Sequence, residues 1–339
     1  MYTVVTTVQP PNECMRQWSG KLIEAGSGLV VIGDRKGPAA FELSPADFYC
    51  LERQSQLGFT LAPLLPEDHY ARKNLGYLVA MRRGADCIYE TDDDNAPGAT
   101  WQPREHTVRA RRITGGKWFN AYRTFSDELV WPRGFPLGRI ADPDSYRRVP
   151  EAGAETIHAP IQQGLADQSP DVDAVWRLVF DRELRFRGGP SIHLPPGTWS
   201  PFNSQSTWWW PAAYPLMYLP SFCSFRMTDI WRGFVAQRCL WALNAGLVFH
   251  APEVLQQRNP HDLMRDFEDE LPGYLGNERL VDVLASLSLE AGVGQPGKNL
   301  QLCYQALVEA GFCEERELVL VAAWLDDLHG IETGQSPSR

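Results

Sequence analysis

The chain opens with two short apolar runs on either side of one helical repeat. Tyr2 to Val8, which includes Thr6, reads as a buried strand, and Leu29 to Ile32 as a second that stops at Gly33-Asp34. From about Cys14 to Ala25 the apolar positions follow helical spacing. Strand, helix, strand in that order predicts a parallel pair with a right-handed crossover. A helix is then expected from about His69 to Arg83, capped by Asp68, with Leu75, Leu78 and Met81 every third residue and Gly84 as its stop. Asp86 to Thr91 reads as the next strand. Asp92-Asp93-Asp94-Asn95 follows at its carboxyl end, and Ala96-Pro97-Gly98 turns the chain away.

Regularity weakens downstream. From about 96 to 220 the chain is rich in Pro, Gly and Trp, which predicts irregular structure and mixed strands, Val175 to Phe180 among them. Helices are expected from Asp229 to Asn244 and from His261 to Glu270. Beyond Pro272-Gly273, the segments Leu280 to Leu289, Leu300 to Ala310 and Glu314 to Leu328 look helical. The pattern therefore predicts an α/β unit over 1–275, a C-terminal helical appendage over 276–330, and a disordered tail over 331–339.

Composition narrows the function classes. Of 339 residues, 44% are apolar and 22% charged, ordinary values for a globular protein. The net charge of −10 argues against a nucleic-acid or anionic-membrane partner, since both demand a basic face. Seven scattered cysteines without a CxxC predict neither a disulfide framework nor a structural zinc. No signal peptide and no membrane span are expected, because the aromatic run Thr207 to Leu219 is broken by Pro211 and Pro215. These features predict a cytoplasmic protein. There is no G-x-S-x-G, P-loop, H-E-x-x-H or G-x-G-x-x-G after a strand, so hydrolase and dehydrogenase readings lack support.

The candidate chemistry centres on the acidic triplet. Three adjacent carboxylates at a strand end repel one another unless they are solvated or a cation neutralises them. Mn²⁺ and Mg²⁺ take one or two protein carboxylates and leave the remaining positions to water and phosphate. Alternate residues of an extended segment point the same way, so Asp92 and Asp94 are the candidate metal pair and Asp93 faces elsewhere. A solvated acidic turn explains the triplet equally well. Arg72 and Lys73 are candidate contacts to a diphosphate, or an exposed basic pair. Asp34 is suited to a nucleobase or ribose, or simply to a Gly-Asp turn. Asp229, opening a helix, is suited to general-base work or to capping. His261 is suited to completing a metal shell, or to capping. Trp208, Trp209 and Trp210 form either a stacking platform or core filler.

Several segments in order carry a resemblance. They are Pro66 to Asp94, LVWPRGFP from Leu129 (with Arg133), PIQQGLADQSPDVDAVWRL from Pro160 (with Gln162), PPGTWSPFNSQST from Pro195 (with Asn203), MTDIWRGFVAQRCLW from Met227 and QRNPHDLMRDFEDE from Gln257. Together they resemble the STELLO family of glycosyltransferase-like proteins over roughly 57 to 275, whereas the C-terminal helical segment carries no such likeness.

The resemblance implies a GT-A fold, Rossmann-like with a mixed, mainly parallel sheet, in which 1–100 is the nucleotide-binding half and 101–275 the acceptor half. It implies a nucleoside-diphosphate sugar donor, a UDP-sugar favoured, and an unknown hydroxyl acceptor. Asp92 and Asp94 match the metal-holding Asp-x-Asp, with His261 completing the Mn²⁺ or Mg²⁺ shell. Asp229 matches the base, and Thr6, Asp34, Arg72, Lys73 and Asp93 are donor-side expectations. A fainter likeness joins Val130 to Arg139 to the reversibly glycosylated nucleotide-arabinose mutases. It makes Arg139 a self-glycosylation candidate, although its spacing is one residue short. Arg133, Gln162 and Asn203 are acceptor-side candidates. A non-catalytic nucleotide-sugar-binding scaffold is the third reading.

Overall fold

The computed structural model describes residues 1–114, 116–146, 153–257, 262–292 and 294–334. The opening follows the hydrophobic pattern: β1 (Tyr2–Thr7), α1 (Glu13–Glu24), β2 (Gly28–Gly33), β3 (Ala46–Tyr49) and the short α2 (Leu51–Ser55). Asn12 caps α1 by accepting the Met15 N–H at 2.9 Å. The next helix, α3 (Lys73–Arg82), follows a 3₁₀ turn over Tyr70–Arg72. The His69 side chain caps that turn, accepting the Ala71 N–H at 3.0 Å, and α3 itself has no side-chain cap. The expected cap, Asp68, instead bends the chain with φ +52. Lys73 through Met81 are all buried. Gly76 lets α3 approach the sheet, since a Cβ there would meet Val4 Cγ1 at 2.5 Å.

The chain continues through β4 (Ile88–Thr91), β5 (Asn95–Pro97), β6 (Thr107–Arg112), β7 (Glu155–His158) and β8 (Ile161–Asp167). Val175 to Phe180, expected as a strand, belongs to α4 (Ala174–Phe180), because Asp173 caps the Trp176 N–H at 2.8 Å and starts a helix. Then come β9 (Ser191–Leu194), β10 (Ser206–Trp209), α5 (Thr228–Ala242) and β11 (Leu247–Gln256). The last helices are α6 (Leu263–Ser286), α7 (Pro296–Glu309) and α8 (Glu317–Thr333). The expected break at Pro272-Gly273 does not occur. α6 runs through both residues, and Gly273 and Gly276 are buried where Met227 and Phe312 approach.

One mixed sheet organises the described residues, in the order β3-β2-β1-β4-β10-β8-β11-β9-β6-β7, with β5 on β11. The run β3-β2-β1-β4 is parallel, β10 inserts antiparallel beside β4, and β8 and β11 are parallel to each other. A mixed α/β architecture is thus observed. The expected boundary at 275/276 falls inside α6, and α8 continues to Thr333. α7 packs on α5, and α8 packs on α3. One apolar core joins Val4 and Ile88 of the sheet to Leu240, Leu320 and Trp324. Trp208, Trp209 and Trp210 are buried, and the indole N–H groups of Trp208 and Trp209 donate to Glu253 and Glu90 at 3.1 and 2.9 Å. They are core residues. No helix among the described residues is long and apolar enough to cross a membrane.

Candidate active site

The triplet lies at the carboxyl end of β4, where open parallel sheets bind ligands. It borders a cavity of about 380 Å³ that also meets Thr6, Tyr70, Asp171, Arg133 and Asp229. A second cavity of about 280 Å³ adjoins it, over the ends of β1 and β2. It meets Asp34, Lys36 and Arg72, and shares Thr6, Tyr70, Asp93 and Phe225 with the first.

The three carboxylates have unequal partners. Asp92 pairs with Lys73 Nζ at 3.0 Å, and the same ammonium donates to the Thr91 carbonyl at 2.8 Å. Asp93 accepts the Thr7 hydroxyl at 2.5 Å. Asp94 accepts Gln256 Nε2 at 3.1 Å, and Gln256 in turn accepts Gln205 Nε2 at 2.7 Å. Burial pushes all three carboxyls up. Lys73 opposes this at Asp92, and Thr7 at Asp93. Among the described residues no cation pairs with Asp94, and burial together with the Asp92 charge pushes it up to about 7. Among the described residues no three His, Cys, Asp or Glu side chains converge on one point. Asp92 and Asp94 both border the cavity and are the carboxylates of the triplet that could hold a hard divalent cation there. His261 lies outside the described residues. The Gln257 N–H, four positions before it, donates to the Asp94 carbonyl at 2.9 Å.

Arg133 is the hub of the opposite end. Its Nε and Nη2 grip Asp171 at 2.7 and 2.8 Å, Nη2 reaches the Asp229 oxygens at 3.0 and 2.9 Å, and Nη1 donates to the Arg226 carbonyl. Burial alone would raise Asp171, but Arg133 outweighs it and holds that carboxyl below its ordinary range. Asn203 Nδ2 also donates to Asp171, at 2.7 Å. The hydroxyl of the half-buried Tyr70 bonds Ser204, and its ring lies 5.2 Å from Lys73 Nζ.

Other expected residues are engaged by the fold. Arg72 donates to Gln54 at 2.8 Å and to the Leu65 carbonyl at 3.1 Å, and Lys73 is fully buried. Asp34 accepts the N–H groups of Asp68 and His69 at 2.9 and 3.0 Å, so it shapes the second cavity's wall as well as lining it. Gln162 sits on β8 beside β11, accepts from His250 at 2.8 Å, and borders neither cavity. Arg139 is half-exposed, pairs with Glu278 at 3.1 Å, and also borders neither. Sequence reasoning missed Asp171, Tyr70, Ser204 and Gln256, whose roles depend on contacts from distant segments.

A mixed α/β sheet with an acidic cavity beyond its parallel strands is the architecture of a small-molecule-binding α/β protein. Residues 226–335 match the family model described as STELLO glycosyltransferases. The chain is 29% identical over 355 residues to Probable glycosyltransferase STELLO2 of Arabidopsis thaliana, covering 96% of this chain and 44% of that protein. It is 30% identical over 334 residues to Probable glycosyltransferase STELLO1 of the same plant, covering 89% and 41%. The chain is thus similar to the STELLO glycosyltransferases over most of its own length, while spanning less than half the length of these relatives. The likeness extends further than sequence reading expected, because the matched region includes α7 and α8.

Proposed function

We propose that the chain is a metal-dependent glycosyltransferase of the GT-A kind that takes a nucleoside-diphosphate sugar, a UDP-sugar by preference, and a hydroxyl acceptor. The observation that carries this reading is the pair Asp92 and Asp94, incompletely compensated among the described residues, in one cavity with Asp229. Asp92 and Asp94 would hold Mn²⁺ or Mg²⁺, with His261 as the third protein ligand. Bound there, the cation supplies charge neutralisation for the departing diphosphate. The nucleoside takes the adjoining cavity, against Asp34 and Thr6.

Asp229 accepts the proton of the acceptor hydroxyl at its carboxylate. Arg133 fixes that carboxylate by holding Asp171 and Asp229 on one guanidinium. Lys73 favours the ionised form of Asp92 against burial and orients it, so its contribution to the donor passes through the carboxylate. A thermal-shift screen of nucleoside-diphosphate sugars with and without Mn²⁺ tests the reading, since a ligand of the folded state raises apparent stability. One donor should stand out only with the metal and be hydrolysed slowly. Binding without any hydrolysis or transfer would instead favour a scaffold that retains the fold.

A further inference from the structure

Phe225 is the only aromatic among the strongly exposed large apolar residues described, with 52% of its surface accessible. It borders both cavities. Its backbone is nevertheless firmly held. The Glu317 carboxylate accepts the N–H groups of Ser221 and Phe222 at 3.0 and 2.6 Å. The Ser224 hydroxyl bonds the Asp269 carbonyl, and Arg226 Nη2 pairs with Glu270 at 2.7 Å. Arg133 holds the Arg226 carbonyl. The ring itself meets His69 edge-on at 5.4 Å. A pinned loop that keeps one aromatic ring in solvent at a cavity mouth is pre-organised for a flat apolar partner. Phe225 also stands four positions before Asp229, on the segment that opens α5, whereas of the donor-side residues Thr6 lies on β1 and Asp93 in the turn after β4.

We propose that Phe225 is the acceptor platform: it stacks on the C–H face of a saccharide ring and brings that ring's hydroxyl to Asp229. The acceptor is therefore a carbohydrate, and Phe225 sets specificity for it. This rests on the glycosyltransferase reading above. The exposed position makes Phe225→Ala a variant whose fold is checked by its melting temperature.

The test probes an array of neutral oligosaccharides with fluorescently labelled full-length protein in UDP and Mn²⁺, and measures UDP affinity of the same samples by calorimetry. Wild type should bind at least one saccharide. Phe225→Ala and Phe225→Leu should lose about tenfold or more in saccharide affinity, and Phe225→Tyr and Phe225→Trp should retain it. UDP affinity should be unchanged throughout. Equal saccharide binding by Phe225→Ala would overturn the proposal, as would a loss confined to UDP, which would make Phe225 a nucleotide contact. It would also fall if wild type bound UDP with Mn²⁺ but no saccharide. Absence of any UDP binding by wild type would sink the glycosyltransferase reading itself, a distinct outcome.

Discussion

Glu90 and Asp94 stand four residues apart on one segment, yet the fold treats them in opposite ways. Glu90 is fully buried and saturated: Arg232 pairs with it at 2.8 Å, Trp209 donates at 2.9 Å, and the Tyr77 hydroxyl bonds it too. Among the described residues Asp94 has one side-chain amide at 3.1 Å, a longer contact to Asn95, and a like charge beside it at Asp92. Burying a carboxylate without a cation is costly, so structural carboxylates acquire partners, as Glu90 and Glu253 do. A carboxylate pair at a cavity wall with Lys73 as its partner cation among the described residues is a candidate place for charge to arrive from outside.

Substitutions should separate the two ends. The largest effect is expected from Arg232→Leu, which leaves Glu90 buried and unpaired. It should cost roughly 3–5 kcal/mol of unfolding free energy, measured by denaturant titration. Asp229→Asn should slow transfer by about 10²–10⁴-fold while the protein stays folded and binds UDP. Asp94→Asn should weaken Mn²⁺-dependent UDP binding by about tenfold or more, with the metal-free melting temperature unchanged or raised, because a repelled charge is removed.

The smallest effect concerns pH. Asp94 titrates near 7 in the fold against an ordinary 3.8, so the metal-free folded state binds more protons than the unfolded chain between those values. Its contribution to stability is complete below about 3.8 and is lost as pH rises through about 7. The metal-free melting temperature should therefore decline across that window, less so in Asp94→Asn. A cation that needs the ionised carboxylate should bind better as pH rises.

Much of this was legible in the sequence, for local reasons. Strand periodicity and a polar break located β1, β2 and β4, so the triplet's position at a strand end followed. The mistaken strand at Val175 to Phe180 shows how an apolar run without its cap is ambiguous, since Asp173 decides the outcome. Pro272-Gly273 suggested a break, but close packing on Met227 and Phe312 carries α6 through. Arg72 and Lys73 read as diphosphate contacts or an exposed basic pair because nothing local reveals Gln54, the Leu65 carbonyl or Asp92 as their partners. Asp171 went unnoticed for the same reason, its grip on Arg133 spanning 38 residues.

The most direct measurement is calorimetry of UDP binding with and without Mn²⁺, on the wild-type chain and on Asp92→Asn/Asp94→Asn. Wild type should bind UDP measurably only with the metal, and the double variant should lose that metal-dependent gain while melting as a folded protein. Equal, metal-independent binding by both would contradict a cation site at Asp92 and Asp94.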